Sequence, residues 1–165
     1  IWMSPARYAR QVENLRDALA EADPAHAAAY RANAERYLAQ VREMEVRASR
    51  LSQALAGRDC ATFHDSAAYL AADLSLHVTA ALSIGEESGA SAGELAAAAD
   101  ALRGRDVLLL YDGQYPVEYA YLADYASSSR TVVLDTAVKP STGADPAVRW
   151  LDAMESNLRA LENGG

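Results

Sequence analysis

The sequence contains a single cysteine, Cys60. One thiol excludes a disulfide framework and a cysteine-cluster zinc site. Lysine is equally scarce, with Lys139 alone. Fifteen basic residues stand against 23 acidic ones, a net charge of −8, and the pI is near 4.8. A chain of that balance lacks the basic face that nucleic-acid phosphates require, and an anionic membrane surface is excluded for the same reason. No apolar run approaches the ~18 residues of a membrane span; the longest, Val107 to Leu110, is the size of a strand. The glycine signatures of nucleotide sites, G-x-G-x-x-G and the Walker loop, are missing, as is the G-x-S-x-G nucleophile elbow. A signal peptide and an initiating methionine are also missing. The chain opens on Ile1-Trp2 inside an apolar stretch and reads as a piece of a longer protein, so the missing signal says nothing about export.

What is present is enough for one domain. The chain has 165 residues, 51% hydrophobic and 23% charged, the composition of a globular protein, and a domain of this size buries about 70% of its unfolded surface. The first half reads as helix. Pro5 suits a first turn, and no breaker follows before Glu21. Asp23-Pro24 reads as an N-cap and first helical residue, opening a long helix to about Ala56. Its apolar stripe runs Tyr30, Ala34, Tyr37, Val41, Met44, Ala48, Leu51 and Leu55 at heptad spacing. Glu43 and Arg47 are placed as an i,i+4 pair on the exposed side, and Gly57 stops the helix.

Beyond Gly57 the pattern changes to strands alternating with helices. Cys60–Phe63, Val78–Ile84, Val107–Tyr111 and Thr131–Leu134 read as strands. Asp65 is expected to cap the helix carrying Ala67 to Leu70, and Ser91 the helix that ends near Leu102 and Gly104. Residues 117–126 read as helix. Asp145-Pro146 opens a last helix with Trp150, Leu151, Met154, Leu158 and Leu161 on one side, ending at Asn163-Gly164. Alternation of this kind implies a parallel sheet. The expected fold is therefore α/β: a long N-terminal helical arm, residues 1–57, followed by a four-stranded parallel sheet flanked by helices, residues 58–165.

In open α/β sheets, ligands sit beyond the carboxyl ends of the strands. His64-Asp65 follows the first strand, Gly85-Glu86-Glu87 the second, Asp112 the third and Asp135 the fourth. An imidazole with carboxylates suits Zn²⁺ or Mn²⁺ and could also serve acid–base chemistry. Each residue has a plainer reading beside that one. Asp65 reads as a helix cap, Glu86 and Glu87 as solvated loop, Asp112 and Asp135 as turn residues, His64 and His77 as structural imidazoles, His26 as an exposed bystander and Cys60 as a small buried apolar group. Spacing alone leaves an α/β domain with a possible half-site.

Several segments together resemble the metal-binding solute-binding proteins of zinc and manganese ABC importers, in which one long helix joins two lobes. Ile1-Trp2-Met3-Ser4-Pro5 is similar to the family's H-x-W-x-D-P segment, cut just after its histidine, with Ser4 where the family has Asp. Asp23-Pro24 with Tyr30, Asn33 and Tyr37 is similar to the opening of the inter-lobe helix. Thr62-Phe63-His64-Asp65-Ser66-Ala67-Ala68-Tyr69-Leu70 resembles T-x-H-x-A-x-x-Y-L. Glu87-Ser88 with Ser91 to Leu95, Val132-Val133-Leu134-Asp135, and the terminal helix with Asn157 and Leu161 follow in the family's order. Asp112-Gly113 departs from it, standing where the family has Glu and a small or apolar residue.

The resemblance implies the C-terminal half of such a protein, with His64 and Asp135 as metal ligands. Two further histidines would come from the absent first lobe, one immediately ahead of Ile1, so this chain alone would hold Zn²⁺ or Mn²⁺ weakly or not at all. Histidine at position 64, where manganese-specific members often carry Glu, leans toward zinc. The implied protein is extracytoplasmic, periplasmic or a membrane-anchored lipoprotein with signal and anchor outside this chain. It is no enzyme, and it delivers metal to the membrane permease of an ABC importer. The stiff inter-lobe helix implies a small tilt on binding rather than wide closure. The apolar faces that the first lobe would cover imply self-association of the isolated piece. Two other readings remain at this point: a small metal-dependent hydrolase using His64, Asp112 and Asp135, and a module dimerising through the heptad helix.

Overall fold

The computed structural model describes residues 1–82, 89–115, 120–138, 145 and 148–163. Helix α1 spans Pro5–Ala22. Ser4 caps it, its Oγ accepting from the Arg7 N–H at 3.2 Å and donating to Asp73 at 2.5 Å. A single 3₁₀ turn, Pro24–His26, leads into α2, Ala27–Leu55. At 29 residues, α2 is about 44 Å long. Asp23 does not cap it, contrary to expectation. Its carboxylate makes no cap bond and instead accepts from the Tyr30 hydroxyl at 2.9 Å and pairs with the exposed His26 ring. Gly57 ends the helical arm in the left-handed region, at φ +74°, a conformation an L side chain adopts only under strain.

Four strands follow: β1 Asp59–Thr62, β2 His77–Ala81, β3 Asp106–Asp112 and β4 Ser128–Leu134. All pairings are parallel, in the order β2-β1-β3-β4. Between them lie α3, Ala68–Asp73, and α4, Ala92–Leu102; α5, Arg149–Glu162, closes the described chain. The α/β architecture and its four parallel strands are as the sequence implies, but several boundaries move. Phe63 lies just outside β1, while β4 starts three residues early because its polar beginning pairs along all of β3, from Asp106↔Ser128 to Asp112↔Leu134. Residues 120–125 form a 3₁₀ rather than an α-helix. The last helix begins at Arg149, past Asp145, with Val148 in the cap position and no side-chain cap. The readings of Gly85, Glu86, Glu87, Lys139 and Pro146 fall outside the described residues.

Between its terminal aspartates, β3 is apolar from Val107 to Tyr111 because both its faces are covered there. Leu108 and Leu110 join Cys60, Val132 and Leu134 in a core shared with α1, α2, α3 and α5. Val107, Leu109 and Tyr111 join Phe63, Leu82 and Leu122 in a second core against α4. Cys60 is fully buried, and desolvation pushes its thiol up to about 12, as fits an inert packing residue. The heptad stripe of α2 is real but graded: Val41, Ala48, Leu51 and Leu55 are buried, Leu38 joins them, and Tyr30, Ala34, Tyr37 and Met44 are half-buried. Among the described residues no helix is long and apolar enough to cross a membrane.

Arg47 departs most from expectation. It reaches across to α5, donating to Glu162 through Nε and Nη2, both at 2.6 Å, and pairing with Glu155 through Nη1. A cross-helix clasp beats the local i,i+4 pair because Arg47 lies on the flank of α2 that packs α5. The Arg47 hydrogen bonds hold both the Glu155 and Glu162 carboxyls below the ordinary range. Groups lowered in this way contribute stability at neutral pH and lose it as pH falls through their depressed values. Arg47→Ala is therefore expected to cost about 1 kcal/mol at pH ~7, a modest figure because the partners are partly solvated. The difference from wild type should shrink in thermal melts as the pH is lowered through the depressed range of the two carboxyls.

Candidate metal-binding half-site

Register puts the site residues at one level. Thr62 pairs with Leu110 and Phe63 N–H bonds to Leu110 O at 3.1 Å, so His64 stands beside Asp112. Asp112 in turn pairs with Leu134, which sets Asp135 just beyond it. His64 and Asp135 thus lie at the carboxyl ends of β1 and β4 with β3 between them, roughly 10 Å apart at the backbone by strand spacing.

Each is held locally. His64, rather than Asp65, caps the short 3₁₀ helix Asp65–Ala67: its Nδ1 accepts from the Ser66 N–H at 3.1 Å. The backbone of Asp135 is clamped by Asn157, whose Oδ1 accepts from Asp135 N–H and whose Nδ2 donates to Asp135 O, both at 2.8 Å. The Asp135 carboxylate accepts through Oδ1 from Ala137 N–H at 2.9 Å and from Arg149 Nη2 at 2.6 Å. Burial would push this carboxyl up, but those hydrogen bonds and the Arg149 charge hold it below the ordinary range. The turn they make places Ala137 at φ +58°, a strained backbone of the kind that collects at functional sites.

Asp112 joins the two loops. Only 5% exposed, it accepts from Ser66 Oγ at 3.1 Å, Thr136 Oγ1 at 3.1 Å, Gln114 N at 3.0 Å and Gln114 Nε2 at 3.3 Å. Its Oδ2 lies 3.6 Å from His64 Nδ1, and the Tyr115 ring stacks on the imidazole at 5.3 Å. Gly113 permits this geometry, because a Cβ there would meet Leu134 O at 3.0 Å. Gly113→Ala is expected to cost about 1–3 kcal/mol by overpacking the β3–β4 junction, read as a lower midpoint in denaturant at unchanged slope. The chain's beginning is strapped to the same edge. Trp2 Nε1 donates to Thr136 O, and Trp150 Nε1 donates to Trp2 O, both at 2.8 Å.

Spacing pointed to the sheet edge, and the family resemblance singled out His64 and Asp135 on it as candidate ligands. Neither indicated the roles of Asn157, Arg149 and Trp2, whose contacts with this edge are made only in the tertiary fold. Asn157 did leave a signal: it is polar, 1% exposed, and lies on the apolar face of α5 with Met154, Leu158 and Leu161. Among the described residues, no three His, Cys, Asp or Glu side chains gather as a metal-holding cluster. Asp65 is exposed, and His77 sits at the opposite end of the sheet, bonded to Asp59 at 2.6 Å.

The architecture is that of the solute-binding proteins. It superposes on the SBP FpvC of Pseudomonas aeruginosa in complex with Mn²⁺ with a TM-score of 0.77 at 25% identity, covering 99% of this chain and 60% of that one. Zn(II)-bound AdcA of Streptococcus pneumoniae shares the fold with a TM-score of 0.70 at 23% identity, over 99% of this chain and 36% of that one. The chain belongs to the family described as zinc-uptake complex component A, periplasmic, which it matches over residues 1–164. Zinc-binding protein AdcA of Streptococcus pyogenes is 27% identical over 141 residues, 84% of this chain and 25% of the relative. The high-affinity zinc uptake system protein ZnuA of Bacillus subtilis is 23% identical over 167 residues, 99% of this chain and 52% of the relative. The chain thus spans from a quarter to about half the length of these curated relatives.

Proposed function

We propose that this chain is the inter-lobe helix (residues 1–57) and the C-terminal lobe (58–165) of an extracytoplasmic binding protein. That protein captures Zn²⁺ or Mn²⁺ as cargo, hands it to the permease of an ABC importer and catalyses nothing. The observation that carries the reading is the pairing of His64 and Asp135 at one level of the sheet edge, in a chain of the zinc-uptake family. Imidazole nitrogen and carboxylate oxygen are ligands of a borderline divalent cation. Both hydrogen bonds to the Asp135 carboxylate go to Oδ1, which leaves Oδ2 to meet the ion.

Two ligands make half a tetrahedral site, so the others come from a first lobe. The hydrogen bond from Trp2 to Thr136, next to Asp135, supports a ligand entering from just ahead of Ile1. The groove between α1 and α2, lined by Tyr8, Val12, Leu15, Leu19, Tyr30 and Tyr37, with Leu15 60% exposed, supports self-association of the isolated chain. The hydrolase reading loses ground to the burial of Asp112, 5% exposed, whose carboxylate is held among neighbouring side chains by structural hydrogen bonds rather than presented to a substrate. The coiled-coil reading loses ground to the packing of α2 on α1 and α5. The test is calorimetric titration of Zn²⁺ and Mn²⁺ into the protein carrying both lobes. One-to-one binding lost in His64→Ala and in Asp135→Ala is expected, and binding indifferent to both would overturn the reading.

A further inference from the structure

We infer that Asp112 is the positioning residue that turns His64 into a ligand, by accepting its Nδ1–H when a cation binds Nε2. The inference rests on the reading of His64 as a metal ligand. A neutral imidazole carries one N–H. In this structure Nδ1 accepts the Ser66 N–H, so the proton is on Nε2, where it covers the lone pair a cation would need. With Nδ1 turned inward to Ser66 and Asp112, Nε2 is the nitrogen open to an ion. Coordination therefore requires the other tautomer, with the proton on Nδ1.

That proton needs an acceptor, and Ser66 N–H is itself a donor. Asp112 Oδ2, at 3.6 Å, is the acceptor in reach. Four hydrogen bonds from Ser66, Gln114 and Thr136 anchor the carboxylate, so the ring moves and the carboxylate stays. Closing 3.6 Å to an ordinary N–H···O distance takes a shift of under about 1 Å. The Tyr115 ring over the imidazole face, at an interplanar angle of 25°, leaves that in-plane slide open. The proton count balances: Nε2 loses a proton to solvent, Nδ1 takes one from solvent, and the imidazole stays neutral. The Ser66 N–H gives up its acceptor, and a charge-assisted bond, roughly twice as strong as a neutral one, replaces it. Carboxylate partners behind ligand histidines fix tautomer and orientation in this way in metal sites generally.

The test uses the protein carrying both lobes, with Zn²⁺ as the probe. Long-range ¹⁵N–¹H NMR of His64 in the wild-type protein should show the proton on Nε2 without zinc and on Nδ1 with it. Asp112→Asn, which sets an amide N–H against Nδ1–H, should weaken zinc binding about 10–100-fold. A zinc-loaded wild type that keeps its proton on Nε2 would overturn the inference, as would an Asp112→Asn protein that folds and binds zinc like wild type. In either case, binding still lost in His64→Ala would leave the functional reading intact. Zinc binding indifferent to His64→Ala would defeat that reading, and this one with it.

Discussion

Replacing His64 or Asp135 by alanine in the protein carrying both lobes is expected to cost more than 100-fold in zinc affinity. Loss of an outer hydrogen-bond partner already costs about 10–100-fold, and each of these substitutions deletes a proposed ligand outright. The two losses should differ in character. His64→Ala removes an uncharged nitrogen donor together with the cap on the Asp65–Ala67 turn, so a small loss of stability accompanies it. Asp135→Ala removes a negative charge from the cation site and with it the bond to Arg149 at 2.6 Å. The Arg149 charge, no longer offset by that carboxylate, opposes the cation, so Asp135→Ala should be the worse of the two. Arg149→Gln added to Asp135→Ala should recover part of the difference. Because a proton and the ion compete for the same imidazole lone pair, wild-type affinity should fall as the solution is acidified. Calorimetry at neutral and acid pH, with both single variants, reads all of these outcomes, and a His64→Ala protein with wild-type affinity would contradict them.

Leu110→Ala is expected to cause a large loss of stability. Leu110 lies on the central strand β3, 1% exposed, and its side chain belongs to the core shared by α1, α2, α3 and α5. The neighbouring strands are pinned by ladder pairing to both sides of β3, so the backbone has little freedom to collapse into the space left behind. Leucine truncations in such surroundings cost about 2–5 kcal/mol, transfer and cavity terms together. For a chain of this length each kcal/mol lowers the melting temperature by about 2–4 °C, so a fall of about 6–12 °C is expected at ~3 kcal/mol. Val78→Ala on the edge strand, where Val78 is 41% exposed, should stay within about 0.5 kcal/mol of wild type. A Leu110→Ala protein melting within 2 or so degrees of wild type, roughly the effect of a surface change, would contradict the packing described.

The local devices were legible because they depend on neighbours in sequence. Pro5 at the first turn of α1, Ser91 capping α4 and the continuous apolar run of β3 all formed where their patterns place them. Ser91 even completes a capping box with Glu94. The structure departs from the expected local bonds where a side chain found another partner, near or far in sequence. Asp23 bonds Tyr30 and His26 instead of a helix end, and Arg47 leaves Glu43 for Glu155 and Glu162. His64 took the cap position from Asp65 because register with β3 draws its ring toward the Asp112 side of the turn.

Sequence by itself determined the class of fold and the order of its elements, because hydrophobic period is a local property; His64 and Asp135 stood out as candidate ligands only through the resemblance of the motifs around them to the zinc and manganese solute-binding family. Tertiary structure alone decided that His64 and Asp135 share one level of one sheet edge, and that Asp112 stands buried between their loops. It also decided that Asn157, Arg149 and Trp2 arrive from the chain's far ends to hold that edge. Those contacts join residues separated by 14 to 134 positions. No local pattern encodes them, since parallel strand order and register are settled by which faces bury together.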